Sequence, residues 1–212
     1  MRNHARFFRL SFWPAIALAF CVLSVFSSTS QAQPDKSKSN KPVLLVVSQG
    51  DYTLTLVDPA TGKHIGVIST GSAQGHGHEV AASPNGRTAY VPIYGNAGVG
   101  KPGTNGKNIL VIDIPSHKVI GNIEFSHGVR PHYAVFDTRH NLLYVTTELD
   151  HTISIIDPRT LKIVGAVPTG QAESHMFTMS SDGLRGYTAN VGPGTVSVLD
   201  LVKRKVVTII PI

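Results

Sequence analysis

Cysteine is almost missing from this chain. The single one in 212 residues, Cys21, falls inside an apolar N-terminal segment. Beyond that segment there is no disulfide, no thiolate metal ligand and no C-x-x-C-H motif for covalent haem attachment. Aromatic residues are scarce, at 7%, and no stretch outside the N-terminal segment keeps a 3.6-residue apolar period, which argues against a helical body. A one-signed charge excess is missing as well. The formal net charge is +6, yet Arg2, Arg6 and Arg9 belong to the N-terminal segment and Lys36, Lys38 and Lys41 to the polar stretch behind it. From Val43 onward 13 basic side chains stand against 12 acidic ones. A near-neutral body is a poor electrostatic match for a phosphate backbone, so nucleic acid is excluded as a partner class. Glycine (20) and proline (13) are plentiful, and that composition favours many short strands joined by tight turns.

Residues 1–32 read as a secretory signal. Three arginines precede an apolar run of about 15 residues from Phe12 to Phe26, and Ser30 and Ala32 supply the small residues that a signal peptidase reads. The run is shorter than the roughly 20 residues needed to span a bilayer. Residues 33–42 form a polar tether, and residues 43–212 the folded body. The expected location is periplasmic or secreted, with membrane contact only through the uncleaved signal.

The body repeats. Thr53–Asp58, Asn108–Asp113, Thr152–Asp157 and Thr195–Asp200 are alternating strands that each end in Asp, followed by a short turn, a basic residue and a second apolar strand. A second signature lies between them: Ser83-Pro84-Asn85-Gly86 before Ala89-Tyr90-Val91, Asp137-Thr138-Arg139-His140-Asn141 before Leu143-Tyr144-Val145, and Ser180-Ser181-Asp182-Gly183 before Gly186-Tyr187-Thr188. Asn-Gly and Asp-Gly steps mark hairpins because they tolerate positive φ. Four short antiparallel strands in a unit of 40–45 residues make a β-propeller blade. The expected fold is therefore an all-β propeller with about four blade equivalents.

These residues carry a family resemblance. Ala89-Tyr90-Val91, Leu143-Tyr144-Val145-Thr146, Tyr187-Thr188-Ala189-Asn190 and the Thr-x-Ser-x-x-Asp strands resemble YVTN-type propeller repeats, and more closely the secreted propellers labelled YncE-like or lactonase-like. The resemblance spans residues 43–212 and implies a fold rather than a reaction. It also implies a seven-bladed parent ring. The chain opens on the second strand of a blade and stops before the strand that would complete it, as expected of a C-terminally truncated member. Open blade faces rich in Val, Ile and Leu would then favour self-association.

Histidine is the informative residue for function. His78, His132 and His175 each stand five residues before a turn anchor, at the expected start of an innermost strand. Two residues earlier come His76, Arg130 and Glu173, which strand alternation would place on the same side. Glu148 and Asn190, with Tyr94 as the blade equivalent of Glu148, end second strands at that face. The expected ligand-binding set is His78, Arg130, His132, Glu148, His175 and Asn190. The expected metal set is His76, His78, His132 and His175, since imidazole and carboxylate suit transition metals; no sequence spacing certifies a site, and no cofactor is named. The insertion at 95–107 should overhang this face. Its G-x-G-x-x-G at Gly98–Gly103 opens no helix and its G-x-x-x-x-G-K is followed by Pro102, so neither is a nucleotide motif. The leading function is a propeller that binds a small anionic ligand, a metal or a protein partner at the histidine face. A lactonase-type hydrolase, with Arg130 holding a substrate carboxylate, or a metal-dependent oxidoreductase on that face is the enzymatic alternative. A pure protein-interaction scaffold is the third.

Overall fold

The computed structural model describes residues 41–212. The expected signal, Cys21 and the tether up to residue 40 lie outside the described residues. Four antiparallel blades follow one another along the chain. Blade one holds β1 (Leu44–Ser48), β2 (Thr53–Val57) and β3 (His64–Ser69). Blade two holds the short β4 (Gly71–Ser72), β5 (Gly75–Gly77) and β6 (Ala81–Ala82), then β7 (Thr88–Gly95), β8 (Asn105–Asp113) and β9 (Lys118–Glu124). Blade three is β10 (Pro131–Asp137), β11 (Leu142–Thr147), β12 (Thr152–Asp157) and β13 (Lys162–Pro168). Blade four is β14 (Ser174–Met179), β15 (Arg185–Asn190), β16 (Thr195–Asp200) and β17 (Lys205–Pro211). Every pairing joins neighbours in sequence or spans a single interruption, so each blade is a meander of hairpins. Among the described residues no helix is long and apolar enough to cross a membrane.

The recurring Asp has a local cause. Its carboxylate accepts from a backbone N–H two or three residues on: Ala60 to Asp58 at 2.8 Å, Ser116 to Asp113 at 3.0 Å, Arg159 to Asp157 at 2.9 Å and Lys203 to Asp200 at 2.8 Å. The side chain thereby closes the turn between third and fourth strands. The hairpin between first and second strands turns on a residue of positive φ, Gly86, Asn141 or Gly183.

The inner strands β7, β11 and β12 are buried almost throughout, because successive side chains face the two neighbouring blades in turn. Leu54, Leu56 and Ile68 of blade one pack on Ala89, Val91, Ile93 and Ile112 of blade two. Tyr90, Ile109, Val111 and Ile123 of blade two pack on Ala134, Leu143, Val145 and Ile156 of blade three. Tyr144, Ile153, Ile155 and Val167 of blade three pack on Phe177, Leu199 and Leu201 of blade four. Three apolar joints thus hold four sheets, and β10 touches both β7 and β14.

One expectation needs correction. The first strand of blade two is not continuous. β5 and β6 both pair with β7, and His78 lies in the gap between them rather than at a strand start. Gly77 explains part of this, since its backbone runs so close to Val91 that no side chain fits there.

The joints predict a cost of truncation. Ile155→Ala should lower stability to urea by about 2–5 kcal/mol, the range for deleting a buried aliphatic side chain, whereas Val207→Ala on the exposed outer strand should change it by less than about 0.5 kcal/mol.

Candidate functional site

Each of the three equivalent histidines sits at an irregularity of its blade's first strand. His132 lies within the register shift between Pro131 and Ala134, and His175 within the shift between Ser174 and Met176. His78 follows the shift at His76 and Gly77. Such bulges re-aim side chains, and here they turn the rings toward one another. His132 stacks on His175 with centroids 3.7 Å apart and planes 29° from parallel. His78 meets His132 edge-on at 5.5 Å, and His76 lies 5.3 Å from His78. Tyr94 is the hub: its ring is 4.7 Å from His78, 5.3 Å from His132 and 6.2 Å from His175. Tyr52 of blade one extends the run, 5.1 Å from His76.

Arg130 and Glu148 lie beneath this layer. Their side chains are 5% and 1% exposed and 3.3 Å apart. The Tyr94 hydroxyl donates to Glu148 Oε2, and the Gly100 N–H donates to Oε1 at 3.4 Å. The guanidinium donates from Nε to Asn105 Oδ1 at 2.7 Å, from Nη2 to the Lys101 carbonyl at 2.7 Å and from Nη1 to the Gly98 carbonyl at 3.5 Å. It lies 5.6 Å from the Tyr94 ring centre. The Asn96–Thr104 connection is therefore held down by a buried arginine. Its overhang at the site, read from its place in the sequence, is reinforced by hydrogen bonds that the sequence did not disclose.

Strand alternation misplaces two residues. Arg130 and Glu173 take φ of 49° and 53°, so neither shares a pleated face with the histidine two positions on. Arg130 turns down into the ion pair. The Glu173 carboxylate lies against Gly100 and Gly192. Asn190 pairs with Ser174, beside His175, and its side chain is engaged within its own blade. Its Oδ1 accepts from Ser174 Oγ at 2.7 Å and Thr188 Oγ1 at 2.8 Å, and its amide donates to Thr195 Oγ1 and Ser197 Oγ at 3.0 and 2.9 Å. Thr147, its counterpart in blade three, bonds Thr152 and Ser154 in the same way. Position 190 is a blade-internal tie.

The electrostatics follow from burial. Loss of solvent holds the His132 pKa down to about 3, with the charges of His175 and His78 acting in the same direction. His78 is held to about 4 by burial, then by His76 and His175. Burial also lowers His175, against the pull of Glu148. Desolvation and the Glu148 carboxylate push the Tyr94 phenol up. At neutral pH the layer is three uncharged imidazoles and a phenol. The Nδ1 atoms of His132 and His175 are buried and have no hydrogen-bond partner.

Two expectations meet this geometry directly. An anionic ligand was to be held by Arg130, whose guanidinium is already engaged by a carboxylate, an amide oxygen and two carbonyls. A metal was to be held by His76, His78, His132 and His175, whose rings meet by faces and edges. Among the described residues no group of three or more His, Cys, Asp or Glu side chains is placed to hold a metal ion. Tyr94 is the residue of this cluster that sequence reasoning undervalued. It was recognised as the equivalent of Glu148, but not as the group that binds Glu148 and walls the histidines.

No family model matches the chain, and no curated protein matches it. Its fold is similar to that of Kuenenia stuttgartiensis hydrazine synthase, with a TM-score of 0.65 and 22% identity over 80% of this chain and 46% of that one. It is also similar to a functionally unknown protein from Desulfotomaculum acetoxidans, with a TM-score of 0.59 and 15% identity over 79% of this chain and 52% of the other. The chain thus spans about half the length of these solved chains. At such identities the likeness is one of fold.

Two predictions come from this site. Arg130→Met leaves Glu148 buried without its cation, a loss of about 3–5 kcal/mol, and should speed hydrogen exchange at the amides of Gly98–Lys101. The second concerns pH. An unfolded histidine takes up a proton near 6.5, whereas folded His78 and His132 do so near 4 and 3. The stability they contribute is complete above pH 6.5 and is lost as the pH falls through that window, because the unfolded chain binds more protons there. In His132→Phe the fall in urea midpoint between pH 6.5 and 4 should be shallower than in the parent.

Proposed function

We propose that this chain is an exported, non-catalytic binding propeller of the YVTN type, with residues 1–32 as its export signal. Its histidine face takes a small ligand that is cationic or donates hydrogen bonds. One observation carries the reading: two neighbouring imidazole nitrogens, on His132 and His175, are buried without partners. Buried polar atoms in folded proteins are nearly always hydrogen-bonded, and an exception calls for an explanation, a bound water, ion or ligand among them. Neutral imidazole can accept a proton donor at Nδ1. The Glu173 carboxylate against Gly100 adds negative potential under the loop, and no guanidinium is left over for an anion. This favours a donor or cation over the carboxylate of a lactone acid. Hydrolysis is the weaker reading, because both Glu148 oxygens already accept hydrogen bonds, from Tyr94, Arg130 and Gly100.

The test is native mass spectrometry, with elemental analysis alongside, on protein purified without a metal-affinity step. The parent should carry a stoichiometric adduct that is released on denaturation. A His132→Phe/His175→Phe variant should keep the ring stack and the cooperative unfolding but not the adduct. An adduct that is a metal ion would show that the rings reorient on binding. A parent with no adduct, or a variant that still binds it, would overturn the proposal.

A further inference from the structure

Outside the histidine layer, one hydrogen-bonded series links a hydroxyl, an imidazole and a carboxylate. His127 Nε2 lies 2.7 Å from Asp150 Oδ1, and Ser126 Oγ lies 3.1 Å from His127 Nδ1. A carboxylate only accepts, so it fixes the ring proton on Nε2. In the neutral ring Nδ1 then carries the lone pair, and the serine hydroxyl donates to it. A nucleophile within hydrogen-bond reach of a base, with the base oriented by a third group, is the arrangement that activates serine. It is recognised by geometry and roles rather than by order along the chain.

Two segments build it. Ser126 and His127 stand on the connection from β9 to β10, and Asp150 ends the short turn Glu148–Asp150 after β11. Backbone bonds clamp these segments together, from the Leu149 N–H to the Val129 carbonyl at 3.2 Å and from the Glu148 N–H to the Arg130 carbonyl at 3.4 Å. The buried Arg130–Glu148 pair joins them a second time. The carboxylate is thus delivered to the ring by backbone that is fixed elsewhere. The fold does not need the series for itself. At the next junction, the 44-residue step from Asp113 to Asp157 carries Ser126 and His127 onto Gly170 and Gln171, and the 43-residue step from Asp157 to Asp200 carries Asp150 onto Pro193. Glycine and proline supply neither the hydroxyl nor the carboxylate, and blades three and four pack without them. Nor does the series staple blades two and three by charge. The His127 and Asp150 side chains are 59% and 34% exposed, and pairs so placed add little to stability.

We propose that Ser126 is a covalent modification site, a hydroxyl that His127 and Asp150 make reactive toward activated esters. Ser126 Oγ bonds to the acyl carbon, its proton passes to His127 Nδ1, and the bond to the leaving oxygen breaks with its electron pair. The imidazolium keeps its Nε2 proton on Asp150 and gives the other to the leaving group. The product is an ester on Ser126, one covalent capture per chain. The site shares no residue with the unpartnered nitrogens of His132 and His175, so it stands or falls separately from what the histidine face binds.

The experiment is brief exposure of the full chain to 4-nitrophenyl acetate, with the acetylated peptides mapped by mass spectrometry. Ser116-His117 is an internal control: the same dipeptide, also exposed, but with its ring packed on Gly66. Ser126 should be acetylated about a hundredfold faster than Ser116, the lower end of what a positioned base contributes. His127→Gln and Asp150→Asn should each slow acetylation of Ser126 by at least about tenfold, with the urea midpoint of the parent retained. Equal rates at Ser126 and Ser116 in the parent overturn the proposal whatever the variants do. A Ser126 rate that survives His127→Gln overturns it as well.

Discussion

The site depends on two opposite charges buried together. Arg130 and Glu148 are removed from water, and such a pair is tolerable only when the remaining donors and acceptors are met. Meeting them recruits parts of two blades. Asn105 and the carbonyls of Gly98 and Lys101 come from the second-to-third connection of blade two, and the Tyr94 hydroxyl from the strand that leads into it. The connection folds down because the guanidinium needs its carbonyls. Tyr94 stands where it does because Glu148 needs its hydroxyl, and the phenol ring then forms the wall against which the histidines pack. The pair is closed within the protein, so the cation is withdrawn from the face that solvent or a ligand would meet. What remains there is a layer of imidazole rings walled by Tyr94.

The repeat was legible because its causes are local. An Asp that closes a turn through its own carboxylate, or an Asn-Gly that supplies positive φ, leaves a mark at a fixed offset, and the blade order follows from those marks. The equivalence of His78, His132 and His175 was legible for the same reason. Their surroundings were less so. Arg130 and Glu173 adopt left-handed backbone without the glycine or asparagine that announces it, so counting by twos along the strand gave the wrong face. The broken first strand of blade two reflects a close approach of Gly77 to Val91, a fact of packing. Asn190 was a misreading of a different kind. The Thr-x-Ser pattern of the third strand was used to recognise the repeat, when it is also the hydrogen-bonding partner of position 147 in one blade and 190 in the next.

Repetition also makes the roles of equivalent residues separable. In blade three Leu143 and Val145 are buried against blade two and Tyr144 and Ile155 against blade four, while the equivalent Leu44 and Val46 of blade one and Tyr187 of blade four are exposed. A residue set kept at the same repeat position has the same packing capability in either place; only the presence of a neighbour differs. The hydroxyl ties behave otherwise, since they are complete within each blade and indifferent to what stands next to it. The histidines belong to neither class. His132 and His175 lie on adjoining first strands and His78 in the break of a third, and their rings meet across the lines between blades two, three and four, so their arrangement requires those blades together but uses none of the apolar joint.

That position sharpens the choice between a structural and a binding role for the rings. As ring contacts alone, phenylalanine would serve as well at 132 and 175 and would carry no polar atom into the interior. Histidine brings an Nδ1 that is buried and unpartnered, a burden on the order of 1–3 kcal/mol for each polar atom so placed. Protonation would relieve the hydrogen-bonding deficit only by burying a charge, and the low pKa of His132 shows which way that balance falls. The Thr146 hydroxyl nearby is itself engaged, accepting from the Tyr133 N–H and donating to the His175 carbonyl. In a protein that ties its hydroxyls and amides this closely, two neighbouring imidazole nitrogens without a hydrogen-bond partner stand apart from every other polar group of the histidine layer.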